Sequence, residues 1–363
     1  MKRLLSLDIL RGMTVAGMIV VNNAGGQLSY DSLRHAEWNG LTPCDLVFPF
    51  FLFIMGFSIS IALRKFGYAP SKSVIVKILK RTLLILLVGW AIHWVGHLCW
   101  GDYFPLAHLR LTGVLPRIAI CYGIVALMVL YTPHKWLPRI AVLLLVGYAL
   151  LLWIGNGYAN DPTNLLARID HFLLGEEHLY TKQSVDPEGV ASTLSSIAHT
   201  IIGFLCGKLL LAADGSKENA ASRLPLRLVR LFVAGSLMLM VGYLLTEALP
   251  LNKRIWSPSF TLVTCGGAAL LLGVLTYVID LKGYRRWCRP FEVFGVNPLF
   301  LYVLSEVGSI LLGRFGLKAP VCEALHAAIS NPYLASAAYA VGYALLLWLC
   351  GYPLYKRKIY IKL

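Results

Sequence analysis

The stretch of the chain richest in chemistry runs from Leu33 to Phe51 and gathers His35, Glu37, Trp38, Asn39 and Asp45 into one short segment. An imidazole is the side chain best suited to take a proton from an amine near neutral pH, or to carry an acyl group itself. Asp45 follows ten residues later, beside the aromatic run Phe48-Pro49-Phe50-Phe51. A carboxylate entering apolar surroundings must be paired or protonated, so it calls for a histidine or arginine partner from elsewhere in the fold. Taken alone, His35 also fits a solvated or capping loop residue, and its spacing does not choose between the two.

Other polar groups interrupt long apolar runs: Asp8, Arg11, Asn22, His93, Arg117, His199, Asn297 and Glu306. Such groups are costly inside a membrane and mark functional sites unless they merely pair with each other. Asp8 and Arg11 are three apart, which puts them on one helix face as an ion pair; the alternative is that Arg11 faces a polar cavity and helps hold an anion. Arg117, in Gly113-Val114-Leu115-Pro116-Arg117, is either the mate of a buried carboxylate or a ligand for a phosphate or substrate. Asn297 precedes the helix-breaking Pro298, and backbone freed at such a kink is tolerated mainly beside protein or a watery cavity. His93 and His97 share a helix face, but no third ligand stands at a telling spacing, so no metal is expected and a packed or interfacial histidine pair is. The eight cysteines are scattered without a CxxC pair, which leaves zinc-ribbon and redox readings unsupported.

The elements that must position these residues follow from composition. Of 363 residues 58% are hydrophobic and 14% charged, far from the roughly 25% charged of a soluble domain. Apolar stretches at about 6–24, 44–63, 76–98, 112–131, 138–155, 191–212, 228–248, 258–279, 291–313 and 335–354 are each near the ~20 residues that span a bilayer. The expected fold is all-α: one polytopic transmembrane domain over residues 1–363, with about ten spans and membrane lipids around it. The apolar run after Lys2 and Arg3 reads as a retained first helix rather than a cleaved signal.

The net charge of +15 does not point to nucleic acid, because the basic residues sit at the ends of apolar segments rather than on one solvated face. They gather on the side of the N-terminus, from Lys2 and Arg3 through Arg64, Lys65, Lys80, Arg81, Lys217, Arg223 and Arg285 to Lys356, Lys358 and Lys362. The opposite side carries only Arg34, Arg110, Arg168, Lys182, Lys253, Arg254, Arg314 and Lys318. The positive-inside rule then places both termini in the cytoplasm. The longest external loop, about 156–190, collects acids including Asp186 and Glu188, which suit a cationic amine as well as a solvated surface. No Asn-x-Ser/Thr sequon occurs, which favours a bacterial inner membrane over a glycosylated lumenal setting.

The run His35-Ala36-Glu37-Trp38-Asn39-Gly40-Leu41-Thr42, continuing through Asp45-Leu46-Val47-Phe48-Pro49 to Phe53-Ile54-Met55-Gly56, resembles the heparan-α-glucosaminide N-acetyltransferase family. Matching stretches follow in one order along nearly the whole chain: Ser6 to Gly12, Val21-Asn22, Gly113 to Arg117, Leu173 to Tyr180, Asp186 to Gly189, Asn252 to Ser257 and Lys356 to Ile359. The resemblance implies a transmembrane enzyme that moves the acetyl group of cytosolic acetyl-CoA to the amine of a glucosamine-type sugar on the far side. It places the catalytic histidine on His35 and a supporting asparagine on Asn22, with Asn23 as the neighbour that could replace it. The chain resembles a bacterial relative without the large N-terminal lumenal domain, and the resemblance also implies a homodimer.

On that reading Asn22 and Asn39 polarise the thioester carbonyl or orient the imidazole, and Asp45 holds its tautomer. Arg11, Arg117, Asn297, Lys356 and Lys358 are the candidates for the anionic cofactor. Glu37, Trp38, Asp186 and Glu188 are those for the amino-sugar acceptor. A rival from another class is an amino-sugar transporter, since spans with midplane polar groups also suit alternating access; no two-halves repeat supports it.

Overall fold

A computed structural model describes residues 4–26, 28–180, 184–211 and 224–361. Of the basic residues that argued for sidedness, Lys2, Arg3, Lys182, Lys217, Arg223 and Lys362 lie outside the described residues. Among those described, regular structure is entirely helical. The chain runs through α1 (Leu5–Asn22), α2 (Val47–Arg64), α3 (Lys72–Cys99), α4 (Val114–Tyr131), α5 (Leu137–Ile154), α6 (Leu165–Leu174) and α7 (Thr193–Leu211). It continues with α8 (Leu224–Leu244), α9 (Pro258–Leu275), α10 (Arg289–Val296), α11 (Pro298–Arg314), α12 (Lys318–Ala328) and α13 (Pro332–Lys356).

Each of the ten apolar stretches is occupied by helix. By length and apolarity eight helices qualify as spans among the described residues, or nine when α10 and α11 count as one. This is a polytopic membrane protein. The expected ninth span is not straight: α10 and α11 meet at 84° across Asn297-Pro298. Proline removes a helical N–H and its ring clashes with the preceding turn, so the break falls where the sequence places it. The expected third span is the 28-residue α3, which lies outside the eight and carries Lys72, Lys77, Lys80 and Arg81 in its first turns.

The best-buried helices, α2, α4, α7 and α9, form the centre, while α5 and α8 turn mostly apolar side chains such as Leu143, Val146, Val229 and Val233 outward. Burial in hydrocarbon gives no drive for helices to associate with each other, so close backbone approach must supply it. The α2–α7 contact shows this. A Cβ on Gly56 would stand 2.1 Å from the Thr200 carbonyl oxygen, and one on Gly203 2.3 Å from that of Phe53. The α1–α10 contact works the same way, with Gly12 against the Phe291 carbonyl and Gly295 against that of Asp8.

Because α1 and α2 run in opposite directions, Asn22 and the start of α2 lie at one end of the bundle, the far end. Leu5, α10 and the C-terminal tail lie at the other, the N-terminal end. α1 separates the two by roughly 26 Å at 1.5 Å per residue.

Candidate active site

Local sequence explains how His35 is held. Thr42-Pro43-Cys44-Asp45 opens a short 3-10 turn ahead of α2, and the Thr42 and Asp45 side chains close a reciprocal capping box with proline in the first turn. Asp45 Oδ2 accepts from the Thr42 amide (3.1 Å), the Thr42 hydroxyl (3.0 Å) and the Ala36 amide (3.1 Å). Its other oxygen, Oδ1, accepts from His35 Nδ1 at 2.7 Å. The carboxylate is 1% exposed and the imidazole 45%. Asp45 thus fixes the tautomer with the proton on Nδ1 and the lone pair on Nε2, which is the state a general base requires. Cys44 Sγ stands 3.1 Å from Nδ1, on the buried side of the ring.

A second loop, between α8 and α9, meets this one. Asn252 Nδ2 donates to Asn39 Oδ1 (3.1 Å), and the Gly40 amide to the Leu251 carbonyl (2.7 Å). Asn252 Oδ1 also accepts from the Arg254 and Ile255 amides, and Trp256 closes the turn with a φ of 53° while almost wholly buried. The result brings Lys253 Nζ to 3.0 Å from His35 Nδ1, 3.4 Å from Nε2 and 3.4 Å from Asp45 Oδ1.

These groups line one wall of a cavity of about 640 Å³ at the far end. The remaining walls come from Val21 and Asn22 at the end of α1, Gly89 to His93 on α3, the start of α4, Tyr180 with Pro187 and Glu188, Arg254 with Trp256, and Tyr302 with Glu306 on α11. Asn22 Nδ2 donates to Glu306 Oε1 at 3.1 Å. Arg110 bonds Asp186 (2.9 Å) and Glu188 (2.8 Å) and lies over the Tyr180 ring, while Thr112 and the Tyr180 amide complete the shell of Asp186. Partial burial works against the Arg110 charge, but Glu188 and Asp186 outweigh it and hold the guanidinium above its ordinary range. Arg254 has no such acids in contact, and burial draws it below that range.

This chain is 29% identical to the human heparan-alpha-glucosaminide N-acetyltransferase, in an alignment that covers 99% of the chain and 60% of the human protein. The mouse protein of the same name is 28% identical, over 84% of the chain and 53% of its own length. The chain is a homologue of these enzymes. It spans little more than half the length of either relative. Residues 3–101, which hold Asn22, His35 and Asp45, also match a domain of unknown function (DUF5009).

Within this homologue the structure sorts the residues singled out by sequence. It brings Asn22, His35, Asp45 and Glu188 to the far-end cavity. Asn39 is spent on Asn252, and Trp38 donates its indole N–H to the Tyr158 carbonyl (2.8 Å), so both pin loops together beside the cavity rather than line it. Glu37 is exposed outside it. Asp186 is saturated by Arg110, Thr112 and two amides, which makes it a holder of Arg110 rather than a free anion for an ammonium.

Arg117 forms no ion pair with a carboxylate among the described residues, although its charge acts on Asp170. Its guanidinium donates to the Gly189 carbonyl (3.0 Å) and the Ser192 hydroxyl and lies over the Trp256 ring. Arg11 pairs with Asp8 (2.9 Å), as the spacing predicts, and donates to Ser58 (3.0 Å). Asn297 uses both ends of its amide on the tail, donating to the Ile359 carbonyl and accepting from the Ile361 amide. His93 faces the cavity, whereas His97 turns to Asp102, which also accepts from His108. Among the described residues no group of three or more His, Cys, Asp or Glu is placed to hold a metal ion.

Lys356 and Lys358 line a second cavity of about 470 Å³ at the N-terminal end, with Leu5, Glu292, Val296, Tyr355 and Tyr360. Sequence reasoning gave no role to Lys253, Arg254 or Arg110, and singled out Glu306 only as a polar group within an apolar run. The first two lie inside Asn252 to Ser257, one of the stretches that carried the resemblance, and that placement was the available signal.

Proposed function

We propose that this chain is a transmembrane acetyltransferase of a bacterial inner membrane. On this reading it moves the acetyl group of acetyl-CoA, taken from the cytoplasmic face, to the amine of a glucosamine-type sugar at the periplasmic face. The observation that carries the reading is the His35–Asp45 pair, with the His35 ring lining a cavity large enough for a sugar and an acyl group. Homology to enzymes named for N-acetyl transfer supports it.

Each end of the bundle has a task. At the N-terminal end two ammonium groups, Lys356 and Lys358, stand beside the aromatic rings of Tyr355 and Tyr360. That donor set fits a phosphorylated nucleotide, with cations for phosphate and a ring face for a base. The Glu292 carboxylate there accepts from the Tyr355 hydroxyl. At the far end His35 Nε2 takes the proton of the attacking amine, and Asp45 keeps Nδ1 protonated and balances the imidazolium that forms. Asn22 Nδ2 gives one N–H to Glu306 and has a second N–H to offer the acyl carbonyl. Glu188 brings negative charge to the wall that an ammonium would approach.

The test is a reconstitution in nanodiscs with acetyl-CoA and a panel of amino sugars, following thiol release together with mass detection of the acetylated product. Acceptor-dependent release by the wild type and none by His35→Ala is the expected result. Uptake of a sugar into vesicles with no acetylated product from any amine would replace the enzyme by a transporter.

A further inference from the structure

Lys253 pairs with Asp45 at 3.4 Å, yet its ammonium lies closer still to the imidazole. Its ammonium touches both nitrogens of the His35 ring, at 3.0 and 3.4 Å, and its side chain is 17% exposed. Asp45 does not need it for hydrogen bonding, because Oδ1 already accepts from His35 and Oδ2 from three donors. Nor is its position a consequence of a flexible loop. Asn252 ties the Arg254 and Ile255 amides, Ser257 ties the Asn252 amide, and Tyr148 donates to the Ile255 carbonyl, so the backbone beside Lys253 is fixed from both sides.

A cation against a general base is unfavourable at the moment the base takes a proton, since two positive charges are then in contact. Asp45, 3.4 Å from the ammonium, balances one of those charges, and a second negative charge appearing in the same place at the same time would balance the other. In acyl transfer one appears: the carbonyl oxygen becomes an oxyanion as the amine attacks. The other cations of the cavity are less suited. Arg110 is spent on Asp186 and Glu188, and Arg254 makes no contact with the His35 ring.

We propose that the Lys253 ammonium is a catalytic residue that donates an N–H to the acyl carbonyl oxygen and holds the charge developing there. This rests on the acetyltransferase reading. The amine lone pair forms the N–C bond while the carbonyl π pair moves onto oxygen against Lys253, and His35 Nε2 takes the amine proton. The π bond then re-forms, the C–S bond breaks with its pair on sulfur, and the proton passes from His35 to the thiolate. Amine and acyl thioester give amide and thiol, and Lys253 ends as it began, protonated. The sequence Lys253, His35, Asp45 therefore serves one transition state with an electrophile, a base and an orienting anion.

The experiment compares wild type, Lys253→Met, Lys253→Gln and Lys253→Arg in nanodiscs, reading acetylated sugar by mass. Loss of an oxyanion donor costs about 10²–10³ in turnover. Lys253→Met is expected to lower kcat by about that factor, with the KM for the sugar changed less than about threefold. Lys253→Arg should keep more activity than Lys253→Gln. Propylammonium added to Lys253→Met should restore part of the rate, and should restore nothing to His35→Ala. A kcat for Lys253→Met within about threefold of wild type overturns the assignment. So does a loss confined to KM, or a loss that neither arginine nor propylammonium relieves, which would make Lys253 only the counter-ion of Asp45. If Lys253→Met does not fold, the order of the Gln and Arg variants decides. Wild-type protein that acetylates no amine would instead fail the parent reading.

Discussion

Asp45 and His35 are joined by a 2.7 Å hydrogen bond, while the second oxygen of the same carboxylate caps the turn that starts α2. One side chain therefore both begins a membrane helix and aims the candidate base. Asp45→Asn keeps a hydrogen-bonding group of the same shape but not the charge, and offers an amide N–H where one acceptor oxygen stood. Turnover is expected to fall at least about 100-fold through the wrong tautomer, with a stability loss of about 1 kcal/mol from the weakened cap. Steady-state rates alongside thermal unfolding in detergent separate the two effects.

Arg110 holds Asp186 and Glu188 together at the cavity wall. Removing one partner of a buried ion pair strands the other, which costs about 3–5 kcal/mol. Arg110→Met should accordingly lower the unfolding temperature sharply, and Arg110→Met with Asp186→Asn should recover part of it. Equal stability of the single and double variants would refute the pairing.

Asp170, on α6, has its carboxyl pushed up by burial from 3.8 to about 6. Below 3.8 both folded and unfolded forms are protonated and the group costs nothing. Between 3.8 and about 6 the unfolded chain gives up its proton first, so stability falls as pH rises, and above that range the full cost of a buried carboxylate is present. Asp170→Asn retains the oxygen that accepts from the Val190 amide. Relative to wild type it should gain stability across that window and keep the gain at neutral pH; parallel unfolding curves for the two proteins from pH 4 to 7.5 would contradict the burial argument.

Gly203 sits where any Cβ would strike the Phe53 carbonyl. Backbone atoms cannot swing aside as a side-chain tip can, so α2 and α7 must move apart. Gly203→Val is expected to abolish monodisperse protein on size-exclusion chromatography, whereas Gly147→Ala on the rim of the bundle, which meets nothing within 4 Å, should behave as wild type.

Lys356 and Lys358 face the N-terminal cavity. If they hold the phosphates of the acyl donor, the double substitution to glutamine should raise the KM for acetyl-CoA about tenfold or more and leave the KM for the sugar alone. Competition by free CoA reads the same site without turnover. A change in the sugar KM only would place donor recognition elsewhere.

The sequence by itself determined what depends on near neighbours in the chain. Apolar length gave the ten helical stretches, Pro298 gave the break, three-residue spacing gave the Asp8–Arg11 pair, and Thr42-Pro43-Cys44-Asp45 gave the cap beside His35. These are one-turn or one-loop interactions, and their geometry is set by backbone periodicity. What only the tertiary structure decided is who meets across the bundle. Lys253 reaches His35 across a sequence separation of 218, Arg110 finds Asp186 across 76, and Asn22 finds Glu306 across 284. Arg117, which as a buried charge was expected to need a carboxylate or a bound anion, found the Gly189 carbonyl and a tryptophan face instead. Hydropathy is blind to such choices, because lipid accepts any apolar helix face. Partners are then selected by glycine-sized gaps between backbones, and by the need of each buried polar group to find a match in whichever helix or loop those gaps bring near.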